Sequence, residues 1–444
     1  QTPELVMVYS DEGLNKMSQT YHKLYRTRLA RGVWRDRERP ILLNNWEATY
    51  MDFNEEKILN LAAKAKEVGI ELFVLDDGWF GTRNDDNQGL GDWYPNLEKL
   101  PNGIAGLSRK IEEMGMKFGL WIEPEMVNKN SELYRKHPDW IISAPERFES
   151  PSRQQHVLDF SRKEVVDYIH AMISKVIRES KISYIKWDMN RYITECYSRG
   201  AKPDEQGMVM HKYILGVYDL YTRLTNEFPH ILFESCASGG GRFDPGMLYF
   251  APQTWCSDDT DAVERMKIQY GTSFVYPISS IGAHVSAVPN HQVNRVTPLE
   301  TRANVAYFGA FGYELDLNKL TDEELEQIKE QITYYKKYRK LFQQGVFYRL
   351  KSPFKGNDTA WMVVSEDKTE AIAAYYQRLN KVNANWLRYK LTGLNPDMLY
   401  KVTGFGKTEM YYGSELMNAG IVIDRKRFKA IGDFASVLFN IEKA

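Results

Sequence analysis

Short apolar runs alternate with amphipathic segments from Pro40 onward. The run at 41–46, ILLNNW, has the length of a buried strand, and a helix-like segment follows it between an Asn54 cap and a Gly69 stop. Seven further strand-like runs follow up to residue 286: ELFVLDDGW, KFGLWIEPEM, HVLDFS, SYIKWDMN, ILFESCASGGG, QTWCSDDTD and SSIGAHVS. Eight such strands, most followed by a helix, predict an α/β protein with a (β/α)8 TIM barrel over residues 40–344.

The regions on either side of the predicted barrel have different patterns. Residues 1–39 are polar and basic, which predicts a solvated linker helix. A long helix with Thr321 and Glu324 as a capping box closes the barrel. Residues 345–444 contain β-like runs separated by turn signals, which predicts a small C-terminal antiparallel β-sandwich domain.

A doubly wound open sheet is the alternative architecture for the alternating region. Such sheets bind dinucleotides at a G-x-G-x-x-G loop that follows a strand, and the GGG at 239–241 does not have that spacing. The barrel is therefore the favoured interpretation.

Composition and charge exclude several classes of partner. The chain has 444 residues, is 43% hydrophobic, and has 58 basic against 59 acidic residues, a net charge of −1. Scattered basic residues indicate no nucleic-acid or membrane-surface partner, and no apolar stretch reaches the roughly 18 residues of a membrane span. The three cysteines, Cys196, Cys236 and Cys256, match no zinc spacing and favour a reducing, cytoplasmic setting.

Carboxylates and aromatic residues recur where the predicted strands end. Lys186 and Asp188 alternate with apolar residues, so both point to one face of a strand, and a charged pair there is costly unless it has a use. The C-terminal ends of barrel strands face the active site. The recurring residues are Trp46, Asp76, Asp77, Trp121, Glu123, Glu125, Asp159, Lys186, Asp188, Asn190, Glu234, Asp258, Asp259 and His284.

The residue types at these strand ends limit the chemistry. The eight histidines form no ligand pair, which argues against a metal site. The sequence also has no Gly-rich loop of the kind that binds phosphate groups. Cys236 and Ser238 have no motif that supplies a base for nucleophilic catalysis. Carboxylate-pair chemistry remains, and glycoside hydrolysis uses two such acids with aromatic walls, which the 13% aromatic content suits.

Four motifs make a family resemblance specific. LDDGWF, YIKWDMNR, FESCASGGGRFD and WCSDDTDAVERMKIQYG resemble the α-galactosidases (melibiases) of glycoside hydrolase family 36, and the resemblance spans about residues 20–444. It implies a catalytic barrel with a C-terminal β domain and no cofactor. It also implies hydrolysis of terminal α-galactosyl residues from melibiose- or raffinose-type oligosaccharides, with retention of configuration through a covalent galactosyl-Asp intermediate.

The resemblance also implies roles for individual residues. Asp188 matches the nucleophile and Asp258 the general acid/base, on the fifth and seventh predicted strands, while Asp76 and Asp77 match the pair that binds galactose hydroxyls. Asp261 is expected to cap the next helix. The remaining sugar-site matches are Trp46, Trp121, Arg153, Lys186, Asn190, Cys236, Gly239 and Trp255.

The chemistry sets expectations for the two catalytic carboxyl groups. A retaining enzyme holds them about 5–5.5 Å apart. Lys186 is expected to favour the ionised form of Asp188, and a dry environment with repulsion from Asp188 is expected to raise the pKa of Asp258.

Several alternatives stay open at this point. Members of the family begin with an N-terminal β domain that this sequence does not include, so the chain is expected to be a fragment or a minimal form, and a homo-oligomer is compatible with either. An α-N-acetylgalactosaminidase or a transglycosylase would use the same carboxylates. A truncated sugar-binding module without turnover is the alternative outside the enzymes.

Overall fold

Eight parallel strands close into a barrel, as the sequence predicts. The computed structural model describes residues 4–150, 152–383, 387–428 and 432–444. Around the barrel the strands follow the order β1-β10-β9-β8-β7-β6-β3-β2, where each strand is numbered by its place in the chain. The barrel strands are β1 (Leu42–Asn44), β2 (Leu72–Leu75), β3 (Lys117–Ile122), β6 (Ile182–Trp187), β7 (Leu232–Ser235), β8 (Gln253–Trp255), β9 (Ile281–Ser286) and β10 (Ala310–Glu314).

One of the eight predicted barrel strands is wrong. The run HVLDFS contributes β5 (Gln155–Val157), which pairs antiparallel with β4 (Met126–Asn128) in a ribbon outside the barrel. The missing barrel strand is β10, which closes the barrel between β9 and β1. Asp188 therefore follows the fourth strand of the barrel in chain order, and Asp258 follows the sixth, instead of the fifth and seventh.

Helices follow most barrel strands, and several begin and end at the residues that the sequence predicts. In α3, Asn54 accepts a hydrogen bond from the Lys57 N–H, and Gly69 ends the helix with a left-handed conformation. Thr321 and Glu324 form a capping box at the start of α11. The described helices are α1 (Leu14–Leu24), α2 (Trp46–Thr49), α3 (Glu55–Val68), α4 (Gly103–Glu113), α5 (Glu132–Lys136), α6 (Lys163–Glu179), α7 (Val209–Glu227), α8 (Pro245–Phe250), α9 (Ala262–Thr272), α10 (Leu299–Ala306), α11 (Asp322–Gln344) and α12 (Gly413–Asn418).

The segment before the barrel is only partly helical. Helix α1 continues into one π-helical turn at Tyr25–Leu29, and a short 3-10 turn follows at Val33–Arg35. Trp34 in that turn is buried against the bottom of the barrel, where its indole donates to the His230 carbonyl at 2.8 Å. This turn thus lies at the N-terminal end of the barrel, opposite the strand ends where the predicted site residues lie. Among the described residues, no helix is long and apolar enough to cross a membrane.

The C-terminal region is an antiparallel β domain, as predicted. Its two sheets share one apolar core, so it is a sandwich of unequal layers. A six-stranded sheet has the order β11-β12-β13-β18-β15-β16, and β14 pairs with β17 in a second, two-stranded sheet. These strands are β11 (Val346–Lys351), β12 (Asp358–Val364), β13 (Glu370–Gln377), β14 (Leu387–Tyr389), β15 (Leu399–Gly404), β16 (Lys407–Tyr412), β17 (Ile421–Ile423) and β18 (Ala435–Lys443).

Strands β12 and β13 of the six-stranded sheet are buried on both faces. Because side chains alternate along a strand, Trp361 and Tyr376 point to the barrel core while Met362 and Tyr375 point to the second sheet. The Tyr376 hydroxyl donates to the Asn304 carbonyl of α10 at 2.6 Å. The barrel and the β domain therefore share one continuous core.

Candidate active site

A buried ion pair joins three barrel strands at the mouth of the barrel. The Lys186 Nζ donates to Asp76 Oδ2 at 3.0 Å, and the Asn44 amide donates to the same oxygen at 2.6 Å. Burial raises the pKa of Asp76, although the charge of Lys186 opposes that shift. Burial in turn disfavours the Lys186 ammonium, but the surrounding negative groups, Asp76 first and then Glu314, together more than offset it and raise the lysine pKa well above its usual range.

The neighbouring carboxylate, Asp77, is held by a buried arginine. The Arg83 guanidinium donates to both Asp77 oxygens, at 3.0 and 2.8 Å, and it also reaches Asp86 at 3.3 Å. Arg83 is fully buried. Such bidentate pairs fix orientation as well as charge, so Asp77 is held rigidly beside Asp76.

Asp188 follows β6 and is buried among four hydrogen-bond donors. Its Oδ2 accepts from the Trp121 indole at 3.2 Å and from the Asn190 amide at 2.9 Å. Its Oδ1 accepts from the backbone N–H of Met189 at 2.8 Å and of Ser238 at 3.3 Å. The carboxylate of Asp188 therefore has a fixed orientation at the strand end.

Asp258 has a different environment in the same pocket. Solvent reaches its side chain, and the Trp255 indole donates to its Oδ1 at 3.0 Å. Partial loss of hydration raises the pKa of Asp258, and the negative charge of Asp188 raises it further, but the exposed side chain lacks the dry environment that the sequence predicts. One pocket thus holds an oriented carboxylate at Asp188 and a carboxyl group of raised pKa at Asp258.

Arg265 and Gly239 position the loop that carries Asp258. The buried guanidinium of Arg265 donates to the carbonyls of Ser257 at 2.6 Å and Asp259 at 2.7 Å. Gly239 packs against the same loop, since a Cβ added there would lie 2.7 Å from the Ser257 Cα. Asp261 accepts from two N–H groups of α9 and is the helix cap that the sequence predicts.

The structure brings ten of the twelve predicted site residues to one pocket of about 200 Å³. That volume is on the scale of a single monosaccharide. The ten are Trp46, Asp76, Asp77, Trp121, Arg153, Lys186, Asp188, Asn190, Trp255 and Asp258. Cys236 and Gly239 are not among the lining residues. Cys236 is buried next to Asp188, where burial and that negative charge raise the thiol pKa well above its usual value.

Five lining residues are absent from the sequence prediction: Glu47, Thr260, His291, Gln292 and Glu314. Glu314 ends β10, so it would have been found with that strand. Its Oε2 lies 3.0 Å from Nδ1 of His284. Burial raises the pKa of Glu314, but the hydrogen bond with His284 and the positive charge of Lys186 together lower it below its usual value. Glu47 accepts from Thr260 at 2.7 Å, and no motif in the sequence signals that contact.

Two family models match the chain in the same order as its two parts. The model described as Melibiase matches residues 1–345. The model described as glycosyl hydrolase family 36 C-terminal domain matches residues 358–441. The chain belongs to the melibiase family.

Curated melibiase relatives match over almost all of this chain. Alpha-galactosidase AgaA of Geobacillus stearothermophilus is 58% identical over 442 residues, which are 100% of this chain and 60% of the relative. Alpha-galactosidase Mel36A of Lactobacillus acidophilus is 50% identical over 432 residues, 97% of this chain and 59% of the relative. The chain thus spans about 60% of the length of these relatives.

Solved melibiase structures have the same fold. A crystal structure of AgaA superposes with a TM-score of 0.96 at 58% identity and covers 99% of this chain and 60% of its own. A variant of AgaA in complex with raffinose has a TM-score of 0.96 at 57% identity, covering 98% of this chain and 60% of its own.

Across the residues that the structure describes, no group of three or more His, Cys, Asp or Glu side chains is placed to hold a metal ion.

Proposed function

We propose that this chain carries the catalytic centre of a retaining exo-α-galactosidase. The observation that supports it is the unequal pair of carboxyl groups in one sugar-sized pocket. Asp188 is oriented by four donors, and the pKa of Asp258 is raised by lost hydration and by Asp188. Double displacement at a glycosidic bond requires one carboxylate that attacks the sugar and one carboxyl group that donates a proton.

The first displacement forms a covalent galactosyl-enzyme. The Asp188 carboxylate attacks the anomeric carbon as the bond to the leaving oxygen breaks, and that oxygen keeps the electron pair. Asp258 gives its proton to the same oxygen, so the leaving group departs as a neutral alcohol. The sugar is then joined to Asp188 with inverted configuration.

The second displacement restores the enzyme. Asp258, now a carboxylate, takes a proton from water as the water oxygen attacks the anomeric carbon. The bond to Asp188 breaks, and its electron pair returns to the carboxylate. Two inversions give net retention of the α configuration.

The buried pair Asp76 and Asp77 supports galactose as the bound sugar. Both carboxylates are held rigidly at one side of the pocket, by Lys186 with Asn44 and by Arg83. Rigid acceptors discriminate between hydroxyl positions because a misplaced hydroxyl leaves a buried acceptor unpaired. We infer terminal α-galactosides of the raffinose type as substrates, because a close relative is described in complex with raffinose.

A comparison of three aryl substrates tests this function. We expect hydrolysis of an aryl α-galactoside at roughly 10³-fold or more the kcat/KM of the aryl α-glucoside. Proton NMR in the first minutes should show α-galactose before mutarotation. Faster hydrolysis of the aryl N-acetyl-α-galactosaminide would identify an N-acetylgalactosaminidase. Formation of a trisaccharide in the presence of excess disaccharide would identify a transglycosylase. Binding of galactose without turnover of any substrate would sink the proposal.

The oligomeric state of the protein and its cellular compartment stay predictions. The cysteines Cys196, Cys236 and Cys256 are free thiols, in keeping with the reducing, cytoplasmic setting that we propose. Light scattering of the purified chain would decide between a monomer and a homo-oligomer.

A further inference from the structure

Two buried glutamates follow the same barrel strand, but they have different partners. Glu123 and Glu125 come directly after β3, in the sequence EPE, and both are 0% exposed. The Arg242 guanidinium donates to both oxygens of Glu125, at 3.0 and 2.8 Å, and the Trp187 indole adds a bond at 2.8 Å. Glu123, in contrast, forms no salt bridge with a lysine or arginine in the part of the chain that the structure describes.

The hydrogen bonds of Glu123 lead directly to Asp188. Its Oε1 accepts from the backbone N–H of Asn190, and its Oε2 accepts from the Gln155 amide at 3.1 Å. The Asn190 side chain in turn donates to Asp188 Oδ2 at 2.9 Å. Glu123 therefore holds the main chain of the residue whose side chain orients Asp188.

The charged groups around Glu123 disfavour a second negative charge. Asp188 and Asp77 face it from the ends of β6 and β2 and both repel an ionised carboxyl. The charge of Arg83 acts in the opposite direction and lowers the pKa of Glu123, but its guanidinium already forms the bidentate pair with Asp77. Burial first, and then the Asp188 charge, raise the pKa of Glu123 to about 8.

We propose that Glu123 is a positioning residue that acts as a neutral carboxylic acid, and this inference rests on the proposed glycosidase function. It fixes the Asn190 main chain, and through it Asp188, without placing a second buried charge behind the nucleophile. Its carbonyl oxygen accepts from the Asn190 N–H, and its proton can be donated to the Gln155 amide. Gln155 Oε1 is buried without a hydrogen-bond partner among the described atoms, and a half turn of that amide brings this oxygen to Glu123.

Substitutions at the two glutamates separate a neutral acid from a charged group. Glu123→Gln is permanently neutral and keeps an acceptor for Asn190, so we expect kcat on an aryl α-galactoside within about threefold of the wild type. Glu123→Ala loses the acceptor, and kcat should fall on the order of 100-fold with KM nearly unchanged. Equal losses in both variants would overturn the proposal.

The matched control is Glu125→Gln. It removes a charge at the same depth and only two residues away, but it leaves the partly buried Arg242 guanidinium without its counter-ion. We expect a marked drop in melting temperature for Glu125→Gln and a small change for Glu123→Gln. A melting temperature that falls as far in Glu123→Gln would contradict a neutral Glu123.

An infrared measurement tests the protonation state without using activity. At pH 7 the wild type should show the C=O stretching band of a protonated carboxylic acid that Glu123→Gln lacks. The band should disappear as the pH is raised past about 8. Identical carboxylic-acid bands in the two proteins at pH 7 would overturn the proposal. An inactive wild type would instead contradict the proposed function and leave this readout intact.

Discussion

Lys186 in β6 and Asp188 directly after it line the same pocket, yet their side chains have separate partners. Lys186 pairs with Asp76 at 3.0 Å, whereas Asp188 is held by the Trp121 indole and the Asn190 amide. Alternation along the strand predicts the shared face but not Asp76 or Trp121 as partners, because these two residues come from other strands. The close ion pair of Lys186 is with Asp76, and the charge of Asp188 adds to those that raise the pKa of Lys186.

The proposed roles of the two aspartates predict different products with azide. Asp188→Ala should lose almost all hydrolysis, and azide, attacking the α-galactoside directly with inversion, should give β-galactosyl azide. Asp258→Ala should still form the covalent intermediate from an activated aryl substrate, and azide should then give α-galactosyl azide. NMR of the products measures the configuration. The same anomer from both variants would refute the assignment.

The buried pair Arg83–Asp77 should contribute strongly to stability. Arg83→Met leaves the Asp77 carboxylate buried without its cation, which should lower the free energy of unfolding by about 3–5 kcal/mol. Urea unfolding measures the change. Lys64→Met is the control, since Lys64 pairs with Glu67 at 2.9 Å on the surface and should cost less than about 1 kcal/mol. Equal costs for the two variants would show that the buried pair has no special importance.

Among the elements, the helices and most strands follow from the sequence, but one strand does not. The run HVLDFS has the length of a barrel strand, and a helix follows it as in the rest of the barrel. Only its antiparallel pairing with β4 shows that it lies outside the barrel. Strand β10, AFGYE, alternates Phe311 and Tyr313 with Gly312 and Glu314, but it is short and lies in an aromatic-rich stretch between two helices. Long-range pairing decides both cases, and local pattern does not contain it. Glu314 was missed for the same reason.

The close approach of Gly239 to the Asp258 loop predicts a loss of activity on substitution. Gly239 has a φ of 84°, and a Cβ there would lie 2.8 Å from the Asp258 N. Gly239→Ala should therefore displace Asp258 and reduce kcat/KM on the order of 100-fold.

Gly13 offers a control at the same backbone angle. It also has a φ of 84°, but nothing lies within 4 Å of an added Cβ. Gly13→Ala should show the modest strain of a positive φ and unchanged kcat/KM. If Gly239→Ala were equally active, the steric account of this loop would be wrong.

At the scale of the whole molecule, α1 joins the barrel to the β domain. The His22 ring approaches the Ser273 carbonyl, after α9, at 2.8 Å. Arg349 of β11 donates to the same carbonyl at 2.8 Å and to the Ser18 hydroxyl of α1 at 2.6 Å. Three regions distant in sequence therefore meet at one buried junction.

This junction should make the protein less stable in acid. Burial lowers the pKa of His22 from 6.5 to about 4, so the unfolded chain binds a proton that the folded chain resists. Stability should thus fall as the pH drops from about 6.5 to 4, by up to about 3 kcal/mol. Chemical denaturation across this range measures it. His22→Gln should flatten the slope, whereas the exposed His211→Gln should not; parallel slopes for wild type and His22→Gln would contradict the prediction.

The hydrogen bonds that hold Asp76 and Asp188 have a consequence for ligand selection. Asn44 and Lys186 fix Asp76, and Asn190 fixes Asp188, so the directions of these polar groups are set before a ligand enters. A linear polyol with as many hydroxyl groups as a hexose should bind this pocket very weakly, because the affinity of the pocket depends on the arrangement of the hydroxyl groups and not on their number.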